Sequence, residues 1–148
     1  MNTLDLRSLR RKPHWSNSSI NAFLNVCSLQ WAFRYVYGHE PCHTPAPLVL
    51  GGAFHQALTF FYSNRMDGTE IPAEAVTDLF SETFLRRCRV ANPPILFGND
   101  EDAESLRALG VRMLEAFLAA VAPSEEILGV AVPFSVQLTD PYGETFSK

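Results

Sequence analysis

The segment LGGAFHQALTFFY, from Leu50 to Tyr62, restricts the possible folds more than any other part of the chain. Its apolar residues recur at intervals of three and four, which places them along one side of an α-helix. The helix is predicted to end near Met66–Gly68. With 47% hydrophobic residues, the chain has enough apolar side chains to form a core around this helix. Its apolar side comprises Phe54, Leu58, Phe61 and Tyr62.

Three other segments show helical spacing, so about four helices are predicted. The first, residues 16–38, begins with polar residues that can each cap a helix, and it can break in two at Ser28. The others are residues 72–88, which open with a proline, and residues 99–122. The Pro-containing stretches predicted as loops are 39–47 and 92–98. The residues expected on the apolar sides are Ile20, Phe23, Leu24, Cys27, Trp31 and Tyr35, then Val76, Leu79, Phe80, Phe84 and Cys88, then Leu106, Leu109, Met113, Leu114, Phe117 and Val121.

The last part of the chain has a different pattern. Phe134, Val136 and Leu138 alternate with polar residues, which is the period of a half-buried strand. The sequence TDPYGE at 139–144 is typical of a turn, so a first strand or hairpin is predicted. Because an isolated hairpin is only marginally stable, we expect this strand to belong to a larger sheet that the chain lacks or borrows. The predicted fold class is α+β and mainly helical.

Length, charge and hydropathy argue against several protein classes. The chain has 148 residues, which suits one domain or a piece of a larger one, and a net charge of −4, which argues against a strongly basic nucleic-acid binder. No apolar run is long enough to cross a membrane, and no secretory signal is recognised, so a cytoplasmic protein is expected. A local basic cluster is attributed to a flexible arm at 1–13; its members are Arg7, Arg10, Arg11 and Lys12.

His55 is the first candidate for chemistry. Gly51 and Gly52 are placed at the open start of the helix, with His55 in its first turn. Because the glycines have no side chains, another backbone or a phosphate could approach the helix there. An imidazole beside that space suits one ligand of a divalent metal, although a hard ion such as magnesium also needs carboxylate oxygens. The alternative is a histidine at the edge of the core that is hydrogen-bonded to a backbone carbonyl.

Other potential ligands have simpler explanations. The acidic residues near 100–104 are favoured at the positive end of a helix dipole, so capping is preferred over metal binding. His39, Cys42 and His43 lie close together with Cys27 upstream, but the paired spacings of zinc sites are absent. The sequence motifs of phosphate-binding loops and of the nucleophile elbow are absent as well.

The order of these features resembles the N-terminal part of a RecB-like PD-(D/E)XK nuclease. In that family a serine-rich helix start leads to a cysteine with an aromatic residue one turn later, as Cys27 and Trp31 are placed in WSNSSINAFLNVCSLQWAFRYVYG. A helix with G-x-x-x-H or G-x-x-H follows, as in LVLGGAFHQALTFFY, and EILGVAVPFSVQLTDPYGE resembles the start of the family's sheet. The resemblance covers about His14–Glu144, so residues 14–148 are expected to be the N-terminal part of one nuclease domain.

The resemblance implies metal-dependent hydrolysis of DNA. His55 would lie beside a Mg²⁺ or Mn²⁺ ion, and Gly51 and Gly52 would leave room for the ion and the DNA backbone. The family's catalytic Asp and (D/E)-x-K motif have no counterpart in the chain. Glu144 and Lys148 would lie about 13 Å apart on a strand, which is too far to serve one metal.

Two further departures from the family pattern concern the ligands. Many relatives have a glutamate just before the Pro-Phe strand, where this chain has Ala131. Many also bind an iron–sulfur cluster through one cysteine near the first helix and three near the C-terminus. Cys27 matches the first position, but Cys42 and Cys88 do not match the others. A cluster is therefore not expected in this chain, and Cys27 is predicted to be a buried apolar residue.

These observations lead to one preferred hypothesis and two alternatives. The preferred one is a truncated piece of a DNA exonuclease or endonuclease of recombination or repair, inactive alone, with a helicase or another recombination subunit as its candidate partner. The first alternative is a non-catalytic helical module for single-stranded DNA or a partner protein, which would use Trp15, Trp31, Tyr35 and Tyr37. The second is a small zinc-dependent helical protein, which metal analysis would identify.

Overall fold

The computed structural model describes residues 16–122, 125–134, 136–137, 139 and 141–144. The described residues belong to two compact units. One lies within Met1–Glu40 and Val132–Lys148, and the other is Pro41–Ala131. The arm predicted at 1–13 lies outside the described residues.

The first unit contains helix α1 (Asn17–Asn21), a π-helical turn (Ala22–Val26) and helix α2 (Ser28–Tyr35). Ser16 caps α1, because its side chain accepts a hydrogen bond from the backbone N–H of Ser19 at 3.1 Å. The chain is extended at Cys27, with φ −164° and ψ 115°, so the first predicted helix is broken there. The described residues thus contain five α-helices instead of about four.

The apolar side predicted for this first segment is wrong in part. Phe23 and Leu24 are 47% and 68% exposed, and Cys27 is exposed instead of buried. Cys27 lies in the extended break between two helical pieces, so it is on no helix face that could pack. Trp31 is the better anchored residue, since its indole N–H donates to the buried Ser19 hydroxyl at 3.0 Å.

The second unit is built from three long helices and two short strands. Strand β1 (Thr44–Pro45) leads into α3 (Ala46–Met66), α4 (Ala73–Val90) follows, and β2 (Ile95–Leu96) precedes α5 (Ala103–Ala120). β1 and β2 are parallel, with Thr44 opposite Ile95. This small sheet lies where the two proline-containing loops were predicted. Each strand has two residues, too few to show a periodic pattern in the sequence.

Helix α3 begins four residues earlier than the glycines suggested. Pro47 lies in its first turn, where the missing N–H costs no helical hydrogen bond. Gly51 and Gly52 are therefore inside the helix and do not precede it, and His55 is not in the first turn. The interpretation of the glycines as an open helix start is corrected accordingly.

The core of the described residues lies entirely in the second unit. The rings of Phe80 and Phe84 on α4 stack with centroids 5.9 Å apart, and Phe80 also packs against Gly110 of α5. Leu109 and Met113, predicted to face the core, are 38% and 46% exposed. The buried hydrophobic residues are Ala46, Val49, Ala53, Ala57, Val76, Phe80, Phe84, Leu106 and Leu114.

The α+β class is confirmed, with helices predominating over a two-stranded parallel sheet. The strand predicted near the C-terminus involves Ser135 and Leu138, which lie outside the described residues. Its described members have no regular secondary structure, and Phe134 is 82% exposed. None of the described helices has the length and hydrophobicity that a membrane crossing requires.

Candidate functional site

His55 lies in the interior of α3 and is exposed. It borders a cavity of about 480 Å³ together with Leu58, Thr59 and Tyr62, which follow it at helical spacing on the same side of α3. The opposite wall is the segment 125–131. Within the described residues the imidazole has no hydrogen-bond partner, so the alternative of a histidine bonded to a backbone carbonyl finds no support there.

Two carboxylates border the same cavity, and they differ in availability. Glu125 accepts a hydrogen bond from the Tyr62 hydroxyl at 3.4 Å and lies 3.8 Å from a guanidinium nitrogen of Arg65. Burial raises the pKa of the Tyr62 hydroxyl, and the adjacent negative charge of Glu125 raises this pKa further. Glu126 is exposed and forms no ion pair with a described residue. A cation in this cavity could therefore use Glu126 without breaking an existing contact.

The two glycines of α3 have different surroundings. A Cβ at Gly51 would meet nothing within 4 Å, so the backbone is open to solvent there. A Cβ at Gly52 would overlap Nη1 of Arg87 and lie 3.5 Å from its Cζ. The Arg87 side chain from α4 thus fills the space beside Gly52. The resemblance had instead implied that this space is open to the DNA backbone.

Arg87 and Gln56 are residues of this region that the sequence analysis did not single out. Nη2 of Arg87 donates to Oε1 of Gln56 at 3.1 Å, in a partly buried hydrogen bond between α4 and α3. The sequence offers only a weak signal, because Arg87 is one of several arginines near the end of α4, where the helix dipole favours any cation.

Comparison with known proteins identifies the family. A model of the PD-(D/E)XK nuclease superfamily matches residues 14–140. The chain belongs to the PD-(D/E)XK nuclease superfamily. No curated protein and no solved structure gives a significant match. Membership indicates a nuclease-type function on DNA, and nucleases of this superfamily generally use divalent metal ions.

In this PD-(D/E)XK chain, Ala131 borders the same cavity as His55. Its φ is +50°, in the left-handed region that residues other than glycine seldom adopt. The position at which the resemblance placed a glutamate in relatives is therefore beside the candidate histidine, but here it carries only a methyl group.

The other candidate metal ligands of this chain are not brought together. Among the described residues no group of three or more His, Cys, Asp or Glu side chains could hold a metal ion. Sγ of Cys42 lies 3.2 Å from Nδ1 of its neighbour His43, which is a pair and not a zinc site. Asp102 caps α5 through a reciprocal pair of hydrogen bonds with Ser105, so the preference for capping in the acidic cluster is confirmed.

The described residues thus provide only part of the set of ligands that a divalent ion needs. His55 supplies an imidazole and Glu126 a carboxylate, whereas Mg²⁺ requires octahedral coordination dominated by oxygen. No hydrolytic step can be derived from these residues alone.

Proposed function

We propose that this chain provides the helical part of a RecB-like DNA nuclease in which His55 is one ligand of Mg²⁺ or Mn²⁺. The observation that carries the proposal is the exposed imidazole, which has no hydrogen-bond partner among the described residues and lies in the wall of a cavity that also contains Glu126 and Ala131. A bound ion would activate water and stabilise negative charge on the phosphate. The roles proposed for this chain are to bind that ion through a neutral imidazole and to hold it beside α3.

The finer assignments are part of the same proposal. The protein would act in recombination or repair as an exonuclease or endonuclease, with a helicase or another recombination subunit as partner, as the resemblance implies. The residues 14–148 would form the N-terminal part of one nuclease domain. A single-strand-binding module is less favoured, because Trp31 is half-buried and its N–H is engaged by Ser19.

The metal site is tested by titrating the chain with Mn²⁺ while the imidazole resonances are followed by NMR. Because paramagnetic Mn²⁺ broadens nearby signals, His55 is expected to broaden at lower Mn²⁺ concentrations than His39 and His43, which serve as internal controls. Glu126→Gln is expected to weaken this binding on the order of tenfold. Glu115→Gln, at an exposed site on α5, is the matched control and is expected to have no effect.

A gain of binding provides a second arm of this test. Ala131→Glu would add a carboxylate to the cavity and is expected to tighten Mn²⁺ binding, whereas Ala116→Glu on the exposed side of α5 is not. Equal broadening of His39, His43 and His55, with no response to either substitution at the cavity, would exclude His55 as a ligand.

Cleavage is measured separately, with linear duplex DNA and either metal. Because the described residues provide only two candidate ligands, we expect no robust cleavage by the isolated chain. Robust cleavage that His55→Gln leaves unchanged would contradict the proposal.

A further inference from the structure

Arg87 occupies an unusual position for a charged side chain. It is half-buried, and its guanidinium lies against the backbone of α3 at Gly52, where any larger residue would overlap it. Gln56, one turn further along α3, accepts a hydrogen bond from Nη2 at 3.1 Å. The absence of a side chain at Gly52 leaves room for the guanidinium, and the neutral amide of Gln56 binds it there.

The charge of Arg87 is not balanced by the described residues. Arg65 is paired with Glu125, and Arg107 with Glu104. No carboxylate of a described residue lies within 4.0 Å of the Arg87 guanidinium. An arginine has five N–H donors, and only one bond to the neutral Gln56 is found here. A half-buried cation with unused donors is suited to a bidentate anion such as a phosphate.

Arg87 is only half-buried, and the neighbouring surface of α3 at Gly51 is open. Gly51 is exposed, and no atom lies within 4 Å of the position that its Cβ would occupy. The row formed by Gly51 and His55 is offset from the row of Gly52 and Gln56 by about 100° around the helix. The cavity beside His55, which could hold a cation, and the guanidinium of Arg87, which could bind an anion, therefore lie on either side of the same stretch of α3.

We propose that Arg87 binds a backbone phosphate of DNA, with Gly52 and Gln56 as its positioning residues. This inference rests on the proposed function, since it assigns the substrate contact next to the candidate metal ligand. The proposed phosphate contact of Arg87 differs from the proposed metal site at His55, because it requires no metal.

The test is the binding of fluorescein-labelled linear duplex DNA to the full chain, measured by anisotropy in EDTA over a range of salt concentrations. Arg87→Gln is expected to weaken binding on the order of tenfold, and to lower the slope of log K against log salt by about one. Arg86→Gln is the matched control. It removes the same charge from the adjacent exposed residue and is expected to weaken binding only about twofold.

A second variant leaves the charge intact. Gly52→Ala would displace the guanidinium, so DNA binding is expected to fall although the net charge is unchanged, by less than in Arg87→Gln because the arginine keeps its charge. Circular dichroism would verify that the helices remain. Equal losses for Arg87→Gln and Arg86→Gln, or no DNA binding by the unaltered chain, would overturn the inference. Neither result affects the Mn²⁺ titration of His55, which separately tests the proposed metal site.

Discussion

At the scale of single residues, glycines inside helices have opposite roles in this PD-(D/E)XK chain. Gly110 is buried on α5, and a Cβ there would overlap the ring of Phe80, whose own position is fixed by stacking on Phe84. Gly51 is on the exposed side of α3 with open space around it. The first glycine permits close packing of two helices, whereas the second adds no packing and lowers helix propensity.

This contrast predicts stability changes of opposite sign. Gly110→Ala is expected to destabilise the protein by about 1–2 kcal/mol, because overpacking a rigid aromatic core costs more than the gain in helix propensity. Gly51→Ala is expected to stabilise it by about 0.5–1 kcal/mol. Urea unfolding of both variants provides the measurement. If Gly110→Ala were as stable as Gly51→Ala, the close contact with Phe80 would be refuted.

At the scale of elements, α5 shows how a helix start is fixed by its own sequence. Asp102 accepts a hydrogen bond from the N–H of Ser105 at 2.7 Å, and the Ser105 hydroxyl accepts one from the N–H of Asp102 at 2.9 Å. The bond from the backbone N–H of Ser105 lowers the pKa of the Asp102 carboxyl most strongly, and the Ser105 hydroxyl lowers it further. Helix α3, in contrast, starts after Pro45 with no side-chain cap, so its sequence carries no capping signal that marks the start.

The cap predicts a defined pH dependence. Because the folded pKa of Asp102 is depressed, its stabilisation is present above the unfolded value of about 3.9 and is lost as the pH falls through the folded value. Asp102→Asn keeps a capping side chain but cannot ionise. Its Tm is therefore expected to lie below that of the unaltered chain at neutral pH, and the difference is expected to shrink below about pH 4. A difference in Tm that is constant with pH would refute this.

At the scale of the whole molecule, the buried apolar residues are distributed unequally. In the described part of the chain, all of the core lies within Pro41–Ala131. Helix α2 has no buried residue, and Phe33, Val36 and Tyr37 near its end are each more than 45% exposed. The two units are therefore expected to differ in local stability, since local opening is easier where few apolar contacts hold an element.

Hydrogen exchange followed by mass spectrometry checks this expectation on the full chain. Peptides from α3, α4 and α5 are expected to exchange slowest, and those covering Ser28–Tyr35 at least about tenfold faster. Equal protection of α2 and α3 would show that the buried core does not determine local stability.

The sequence by itself determined the features that depend on neighbouring residues. The periodic apolar residues of 72–88 and 99–122, the preference for capping near 100–104, and the order of motifs that resembles a PD-(D/E)XK nuclease are all local patterns. Their physical basis is that helix periodicity and capping act over a few residues.

Only the tertiary structure decided which of those residues meet. It brought Arg87 against Gly52, Phe80 against Gly110, and Ala131 to the cavity that contains His55. Each contact joins residues distant in sequence through helix packing, which depends on side-chain shape and the course of the intervening loops. The fold class was therefore predictable, whereas the position of the glycines inside α3 and the occupant of the space beside them were not.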